Sequence, residues 1–319
     1  MDGLPATRDN GNTTSFVIEF RNVGKIYRSL LGNSVKAVEE FSLQIGEGEI
    51  LGIAGPNGAG KSTLIAMLLG FLRPTTGEVE IDGLRARTYV QRHGIGYLSE
   101  LIAIPPRWRT DTSLVRYSTL AGIPAGQIGA RVDGLLQQLG LTEHRGKKVK
   151  ALSKGNLQRL GLAQALIRDE RILVLDEPTH GLDPVWTQKF RDIVEGLRRP
   201  DRIIVIASHN LDELQRLADR VAIIDRGRLQ RVVSTGYEQS APFATKFRVT
   251  LASGFDQIGI AFPGAEEIGP GEYNVSVSSI QGLNSALADL IGRGALVASV
   301  VPERSALEQQ FREAVGESQ

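Results

Sequence analysis

Residues 49–69 read EILGIAGPNGAGKSTLIAMLL, and this stretch decides the fold. Its centre at 55–63, GPNGAGKST, matches the phosphate-binding pattern G-x-x-x-x-G-K-[ST] in full. The glycines allow a tight turn that directs backbone N–H groups at phosphate oxygens, and the apolar run that follows predicts a helix whose positive dipole end faces the same oxygens. We therefore predict a strand, a phosphate loop and a helix here, and with them the binding of a nucleoside triphosphate.

The phosphate loop also predicts what its residues do. Lys61 can reach the outer phosphates and assist catalysis, and the Ser62 hydroxyl can ligate Mg²⁺. The residues expected to contact the nucleotide are Gly55, Pro56, Asn57, Gly58, Ala59, Gly60, Lys61, Ser62 and Thr63. The alternative is a glycine-rich turn that matches by chance, and the strand and helix patterns on either side argue against it.

The composition limits the class of protein. The chain has 319 residues, of which 41% are hydrophobic, and a net charge of +1. It is long enough for one large core and one small one, and its charge argues against a surface that coats nucleic acid, so no nucleic acid partner is expected. Because the chain has no cysteine, we expect any metal to be bound by oxygen, and a reducing cytosol is a fitting compartment. Apolar runs such as Ile203–Ala207 are far shorter than the roughly 20 residues that cross a bilayer, which predicts a soluble chain.

Short β-branched runs alternate with longer amphipathic segments from Phe16 onward, a pattern typical of a largely parallel sheet covered by helices. The predicted strands are Phe16–Phe20, Phe41–Ile45, Ile50–Ala54, Glu78–Ile81, Ile95–Leu98, Ile172–Leu175, Ile203–Ala207 and Val221–Ile224. Ile172–Leu175 and Ile203–Ala207 are apolar at every position, as strands buried on both faces must be. The predicted fold class is therefore α/β.

Three regions depart from this alternation. Residues 1–15 are polar and predict a disordered tail ahead of a main domain at 16–240. The strand pattern disappears at about 101–155, where Val132–Leu139 has helical spacing, so a helical insertion is predicted after a loop at Ile104–Trp108. After Ser240, alternating strands and helical spacing predict a small α+β domain at 241–319.

Two buried strands end in candidate catalytic groups. Ile172–Leu175 leads directly into Asp176 and Glu177. Successive residues point in different directions, so Asp176 can hold the Mg²⁺ shell while Glu177 faces the attacking water. Ile203–Ala207 leads into His209 at the edge where open parallel sheets bind ligands, so His209 can donate to a γ-phosphate oxygen. The plain alternatives are a solvated acidic pair and a surface histidine, and the remaining histidines are assigned no catalytic role.

The order of these motifs resembles the ATP-binding subunit of ATP-binding-cassette (ABC) transporters over about residues 16–235. That order is the phosphate loop, LSKGN at 152–156, LDE at 175–177, GLD at 181–183 and SH at 208–209. The resemblance implies a P-loop NTPase cassette with a mostly parallel core sheet, an antiparallel β part and a helical insertion. It also implies that the LSKGN segment is the family signature, usually LSGGQ. In the family this signature reaches across a head-to-tail dimer to the ATP on the other subunit.

The resemblance extends to individual residues. Ser153 and Gly155 of the signature would contact the partner's nucleotide, and Asp183 would lie in the loop at the dimer contact. Tyr27 matches the aromatic residue that stacks on adenine. Glu177 matches the general base, which completes a site for ATP and Mg²⁺.

Two departures from the family pattern are visible. The glutamine that senses Mg²⁺ and the attacking water is replaced by Glu100, whose carboxylate can ligate Mg²⁺ but adds negative charge beside the γ-phosphate. Lys154 and Asn156 replace the second glycine and the glutamine of the signature. The type-two export class of ABC ATPases has similar features: a glutamate in place of the glutamine, an S-K-G signature, and a small C-terminal domain that ends in a sequence like residues 302–311.

The sequence therefore predicts an ATPase subunit that closes as a dimer around two ATP molecules and drives a separately encoded membrane permease in export. It would lie on the cytoplasmic face of the membrane, bound through the permease. One chain carries both halves of the composite site, which is compatible with a homodimer, and a heterodimer is the other possibility. The rivals are a soluble ABC ATPase of translation or DNA repair and a regulatory cassette. The former generally has two cassettes or long coiled-coil inserts, and this sequence has one cassette and no heptad run.

Overall fold

The computed structural model describes residues 16–28, 34–235, 245–252, 258–302 and 306–316. These residues form two compact units, one within Met1–Thr235 and Phe311–Gln319, the other within Gly236–Gln310. The tail predicted at 1–15 and the domain boundary predicted at 240–241 both lie outside the described residues. Within those residues, no helix is long and apolar enough to span a bilayer.

The larger unit alternates strands and helices along most of its length. Its strands are β1 (Phe16–Arg28), β2 (Ser34–Gly46), β3 (Ile50–Ala54), β4 (Thr76–Ile81), β5 (Leu84–Arg85), β6 (Gly96–Leu98), β7 (Ile172–Asp176), β8 (Ile203–Ala207), β9 (Arg220–Asp225) and β10 (Arg228–Ser234). Its helices are α1 (Lys61–Leu68), α2 (Ala86–His93), α3 (Thr110–Leu120), α4 (Ala125–Gln138), α5 (Lys154–Ala165), α6 (Pro184–Leu197) and α7 (Leu211–Leu217). Short 3-10 turns lie at Thr142–His144 and Val149–Ala151.

A six-stranded sheet in the order β10-β9-β3-β8-β7-β6 forms the centre of this unit. The strands from β9 to β6 pair in parallel, and β10 pairs antiparallel with β9 at one edge. Every residue of β3, β7 and β8 is buried, as the uninterrupted apolar runs predict. The carboxyl ends of these three neighbouring strands therefore meet at one edge of the sheet.

A second sheet, β2-β1-β4-β5, is antiparallel. Its apolar side chains share one hydrophobic core with α1 and the central sheet, and the Phe20 and Phe41 rings meet edge to face at 5.4 Å. β1 and β2 each run for 13 residues, so the predicted strands Phe16–Phe20 and Phe41–Ile45 were far too short. Irregularities in the β1–β2 register, for example between Phe20 and Val23, interrupt the alternation that the prediction followed.

The helical insertion begins with the loop predicted at Ile104–Trp108, which contains no regular element. α3 and α4 follow, and the predicted apolar stripe is confirmed because Val132, Leu135, Leu136 and Leu139 are all buried. The guanidinium of Arg116, within α3, lies 4.3 Å from the centre of the ring of Trp108, which precedes the helix. α5 then begins within the LSKGN segment and leads back towards the central sheet, where it packs against β6.

The smaller unit has the element order βαββαβ, which is typical of ferredoxin-like folds. Its elements are β11 (Thr245–Leu251), α8 (Ile258–Ala261), β12 (Glu266–Gly269), β13 (Glu272–Val277), α9 (Ile280–Gly292) and β14 (Val297–Pro302). The sheet order is β12-β13-β11-β14, all antiparallel. The alternation of Phe247, Val249 and Leu251 and the helical spacing of 280–291 are confirmed, whereas β12 and α8 were not predicted. A final helix, α10 (Ala306–Val315), is divided between the two units, with its residues up to Gln310 in the smaller unit and those from Phe311 in the larger one.

Candidate active site

The phosphate loop connects β3 to α1, as predicted, and its backbone is closely held. Gly60 caps α1 with a φ of 106°, and a Cβ at this position would lie 2.6 Å from the carbonyl oxygen of Ala37. Both facts require glycine there. The Ala59 N–H donates to the Pro56 carbonyl at 3.1 Å, and the Ala59 carbonyl accepts from the Gly227 N–H at 2.9 Å. The loop is therefore fixed from two sides, with the N-terminal N–H groups of α1 at its end.

Lys61 lies over this loop. Its ammonium group donates to the carbonyl oxygens of Gly55 at 2.6 Å and Pro56 at 3.2 Å, and only 8% of the residue is exposed. A buried ammonium needs such acceptors because it has three donors and no solvent to satisfy them. The positive charge is thus held beside the loop, where phosphate oxygens would lie.

A cleft of about 570 Å³ opens beside the loop, a size typical of small-molecule sites. The described residues that line it are Ala37, Asn57, Gly58, Ala59, Gly60, Lys61, Ser62, Thr63, Glu100, Asp176, Glu177, His180 and His209. The structure thus brings together the phosphate loop, the acidic pair after β7, the histidine after β8 and Glu100. These four features are separated by up to about 150 residues of sequence, and the sheet topology unites them.

Three carboxylates share the cleft. Burial, together with the negative charges of Glu100 and Glu177, raises the pKa of Asp176 to about 6, and Lys61 opposes the rise. A cation in the cleft would relieve this repulsion, and Ser62, Asp176 and Glu100 offer it oxygen donors. Among the residues that the structure describes, no group of three or more His, Asp or Glu side chains is placed to hold a metal by itself. Mg²⁺ is usually held by one or two carboxylates together with substrate phosphates, so this donor set fits Mg²⁺ arriving with a nucleotide.

Glu177 is held in an uncommon conformation. Its φ is 48°, in the left-handed region, and its N–H donates to the Ala207 carbonyl at 2.8 Å. Its carboxylate accepts from the His209 N–H at 3.0 Å and contacts His209 Nδ1 at 2.8 Å, with the Ser208 hydroxyl at 3.4 Å. Because β7 and β8 are parallel neighbours, the residues after their ends meet in this way. Strained residues of this kind concentrate at functional sites, where the surroundings over-determine them.

Six predicted contact residues within the described chain lie outside the lining of this cleft. Two of them, Gly55 and Pro56, begin the phosphate loop, and their carbonyls accept from Lys61. The other four lie elsewhere. Tyr27 is 45% exposed on β1, and Lys25 Nζ lies 5.6 Å from the centre of its ring. Ser153 accepts a hydrogen bond from the Asn156 N–H at 3.3 Å and so caps α5. The other two are Gly155 and Asp183, of which Asp183 caps α6.

His180 lines the cleft although the sequence pattern assigned it no catalytic role. Its backbone N–H donates to the Glu177 carbonyl at 3.1 Å, and its ring Nε2 lies 2.5 Å from Lys154 Nζ. The signal that could have found it is its position, three residues after Glu177 in a sequence with Pro178 that predicts a tight turn.

The sequence is similar to a large set of known proteins. The pattern of the ABC transporter family matches residues 38–180. YdbJ of Bacillus subtilis, an uncharacterized ABC transporter ATP-binding protein, is 31% identical over 87% of this chain and 90% of its own length. The methionine import ATP-binding protein MetN of Caulobacter vibrioides is 35% identical over 67% of this chain and 65% of its own length. The Nod factor export ATP-binding protein I of Rhizobium etli is 32% identical over 70% of each chain.

The fold is also similar to solved structures. The dimeric structure of a post-hydrolysis state of the ATP-binding cassette MJ0796, bound to ADP and Pi, aligns over 68% of this chain and 98% of its own. The TM-score is 0.64 and the identity 24%, so the likeness concerns the fold. It confirms the predicted cassette, with parallel and antiparallel sheets together.

Proposed function

This chain belongs to the family of ABC transporter ATP-binding proteins, which are ATPases, and on that basis we propose that it closes as a dimer around two ATP molecules to drive a membrane permease. One observation carries the proposal. Among the described residues that line the cleft, none belongs to the LSKGN segment at 152–156. The cleft therefore has a phosphate loop and a catalytic carboxylate but lacks its own signature. A second subunit would supply Ser153 and Gly155, together with the N-terminal dipole of its α5.

The proposed hydrolysis uses residues that already converge in the cleft. Lys61 and the backbone N–H groups of the loop bind the phosphates, and Ser62 and Asp176, with Glu100 nearby, would hold Mg²⁺. Bound Mg²⁺ would neutralise charge on the phosphate oxygens. Glu177 accepts a proton from the attacking water, and no covalent intermediate is required.

His209 has two tasks in this proposal. Its Nδ1 lies 2.8 Å from the Glu177 carboxylate, so an Nδ1–H would orient the base. In the neutral ring Nε2 would then be an acceptor, whereas the protonated ring can also donate from Nε2 to a γ-phosphate oxygen. The predicted phosphate contact of His209 therefore requires the protonated ring for as long as the contact with Glu177 persists.

We propose that ATP-driven closure moves a permease through the helical insertion, formed by α3 and α4. Closure would draw two insertions together, and hydrolysis would release them, so that binding energy is converted into motion of the membrane subunits. The chain would then work at the cytoplasmic face of the membrane, attached through the permease. A homodimer is the simplest assembly, because one chain carries both halves of the composite site.

The proposed direction is export. The S-K-G signature at 153–155, Glu100 and the small C-terminal unit support it through the resemblance to the type-two export class. Both an import protein for methionine and an export protein for Nod factor are among the relatives, so direction must be measured. Inside-out membrane vesicles that contain this chain and its permease should accumulate solutes with ATP, detected by mass spectrometry of the vesicle contents. ATP-dependent accumulation only in right-side-out preparations loaded with ATP would indicate import instead.

The composite site is tested by Glu177→Gln. This variant keeps the size of the side chain but removes the base, so it should bind ATP, lose steady turnover and accumulate as a nucleotide-bound dimer. Light scattering with ATP and Mg²⁺ should give twice the monomer mass, and Lys61→Met, which weakens nucleotide binding, should stay monomeric. Wild-type hydrolysis by Glu177→Gln would refute the base assignment, and a monomer at saturating ATP would refute the dimer.

A further inference from the structure

The backbone at Glu177 needs support from outside its own strand. A non-glycine residue with a φ of 48° is strained, and it persists only where surrounding contacts fix it. The N–H of Glu177 is fixed by the Ala207 carbonyl of β8. Its carbonyl accepts from the His180 N–H at 3.1 Å, which closes a turn over 177–180. That turn sets the direction in which the carboxylate points.

A side chain of α5 forms two hydrogen bonds with this turn. Gln158 Nε2 donates to the Glu177 carbonyl at 3.1 Å and to the Pro178 carbonyl at 3.0 Å. Gln158 is 5% exposed, so neither bond is exchanged readily for water. The side-chain amide of Gln158 thus donates to two successive backbone carbonyls of the turn. These two bonds fix the orientation of one carbonyl relative to the other.

The first turn of α5 adds further contacts with the same segment. Lys154 Nζ lies 2.5 Å from His180 Nε2. A Cβ at Gly155 would lie 3.1 Å from the Gly181 carbonyl oxygen, so the helix and the segment are in close backbone contact. The side of α5 that carries Lys154 and Gln158 therefore packs along the chain from Glu177 to Gly181.

We propose that Gln158 is a positioning residue for ATP hydrolysis. It holds the successive carbonyls of Glu177 and Pro178 and so aims the Glu177 carboxylate into the cleft. Gln158 is not among the described residues that line the cleft. Because α5 begins at the signature, any shift of that helix is transmitted to the base through these two hydrogen bonds. The inference rests on the proposed role of Glu177 as general base.

The test is Gln158→Met, which keeps an unbranched side chain of similar size but has no donor. The matched control is Gln164→Met on the same helix, a half-buried position that does not line the cleft. A misplacement on the order of 1 Å costs up to about 100-fold in rate. We therefore expect the kcat of Gln158→Met to fall about 10- to 100-fold while its ATP dissociation constant changes less than about twofold. Gln164→Met should match the wild type in both.

Hydrogen–deuterium exchange provides a readout that does not depend on activity. In Gln158→Met, amide exchange of the peptide over 177–183 should accelerate, because the His180 N–H loses a fixed acceptor. A wild-type kcat in Gln158→Met would overturn the proposal, and so would a lower kcat without faster exchange in this peptide. If Gln158→Met does not fold, Gln158→Asn, which keeps the donor but shortens the reach, is judged by the same two measurements.

The activities of Glu177→Gln and Gln158→Met together distinguish an error in the role of Gln158 from an error in the role of Glu177. If Glu177→Gln hydrolyses ATP at the wild-type rate, the base assignment fails whatever Gln158 does. If Glu177→Gln is inactive and Gln158→Met is fully active, the base assignment stands and the positioning role of Gln158 fails alone.

Discussion

Glu100 places a third carboxylate in a cleft that must accept a polyphosphate. Together with Glu177 it adds to the burial that raises the pKa of Asp176 to about 6. Three neighbouring acids repel one another and the incoming phosphates unless a cation lies among them. The cleft is therefore expected to bind nucleotide and metal together, and its nucleotide affinity should depend steeply on Mg²⁺.

We predict that Glu100→Gln is tolerated much better than Glu177→Gln. The amide keeps an oxygen that can face the metal and removes one negative charge beside the γ-phosphate. Steady-state hydrolysis measured over a range of Mg²⁺ concentrations should retain at least about a tenth of the wild-type turnover, since less than about 1.4 kcal/mol of transition-state stabilisation is expected to be lost. If both variants were equally inactive, Glu100 would have to be an essential ligand.

Lys61→Met tests the charge that is held over the loop. Hydrogen bonds to charged groups contribute about 1.5–3 kcal/mol, so nucleotide affinity should fall about 10- to 100-fold. The matched control is Lys150→Met at an exposed position outside the cleft lining, which should leave affinity unchanged. Equilibrium titration with a fluorescent ATP analogue measures both, and equal affinity in the two variants would contradict the assignment.

At the scale of elements, the strand-loop-helix unit β3–α1 depends on Gly60. Gly60→Ala would force a side chain into a left-handed conformation and against the Ala37 carbonyl, 2.6 Å away. We expect a loss of about 1–3 kcal/mol in the free energy of unfolding, measured by urea denaturation. Gly129→Ala is the control, because it lies exposed in α4 with nothing within 4 Å of the new Cβ. That substitution should stabilise by about 0.5–1 kcal/mol, and a similar response in both variants would contradict the argument.

Elements whose own sequence carried the signal were predicted well. β3, β7 and β8 are buried on both faces, so their apolar runs mark them without further context. β10 was missed because it is an edge strand with one buried residue, Val233, and its sequence shows little alternation. β1 was cut short because its irregular register breaks the two-residue period that identifies a strand.

The residues of the candidate site likewise divide into those with a local sequence signal and those without one. The phosphate loop and the acids after β7 were predictable because each is a local motif with a local reason. Gln158 and His180 were not assigned a role because their contacts with the turn at Glu177 and with Lys154 arise only when α5 packs beside the turn that follows β7. A glutamine within a helix has no local pattern that identifies such a partner.

At the scale of the whole molecule, a composite site predicts that two inactive variants restore each other. Lys61→Met damages the loop, whereas Ser153→Asp retains a good helix cap but places a carboxylate opposite the partner's phosphates. A mixed dimer would contain one undamaged site and one doubly damaged site. Random mixing by co-expression should therefore restore about a quarter of the wild-type hydrolysis, given two-fold symmetry and independent sites. Mixed dimers that form and stay inactive would contradict this arrangement.

Because the backbone of Glu177 is left-handed, thermal stability and catalysis favour different residues at this position. Asparagine adopts this conformation more readily than glutamate, and it would remove a buried negative charge from beside Asp176. A library screened only for survival at high temperature should therefore accumulate replacements at 177 that fold well and hydrolyse nothing. Under the proposed role of Glu177 as general base, selection for turnover would oppose these replacements while selection for stability alone would favour them.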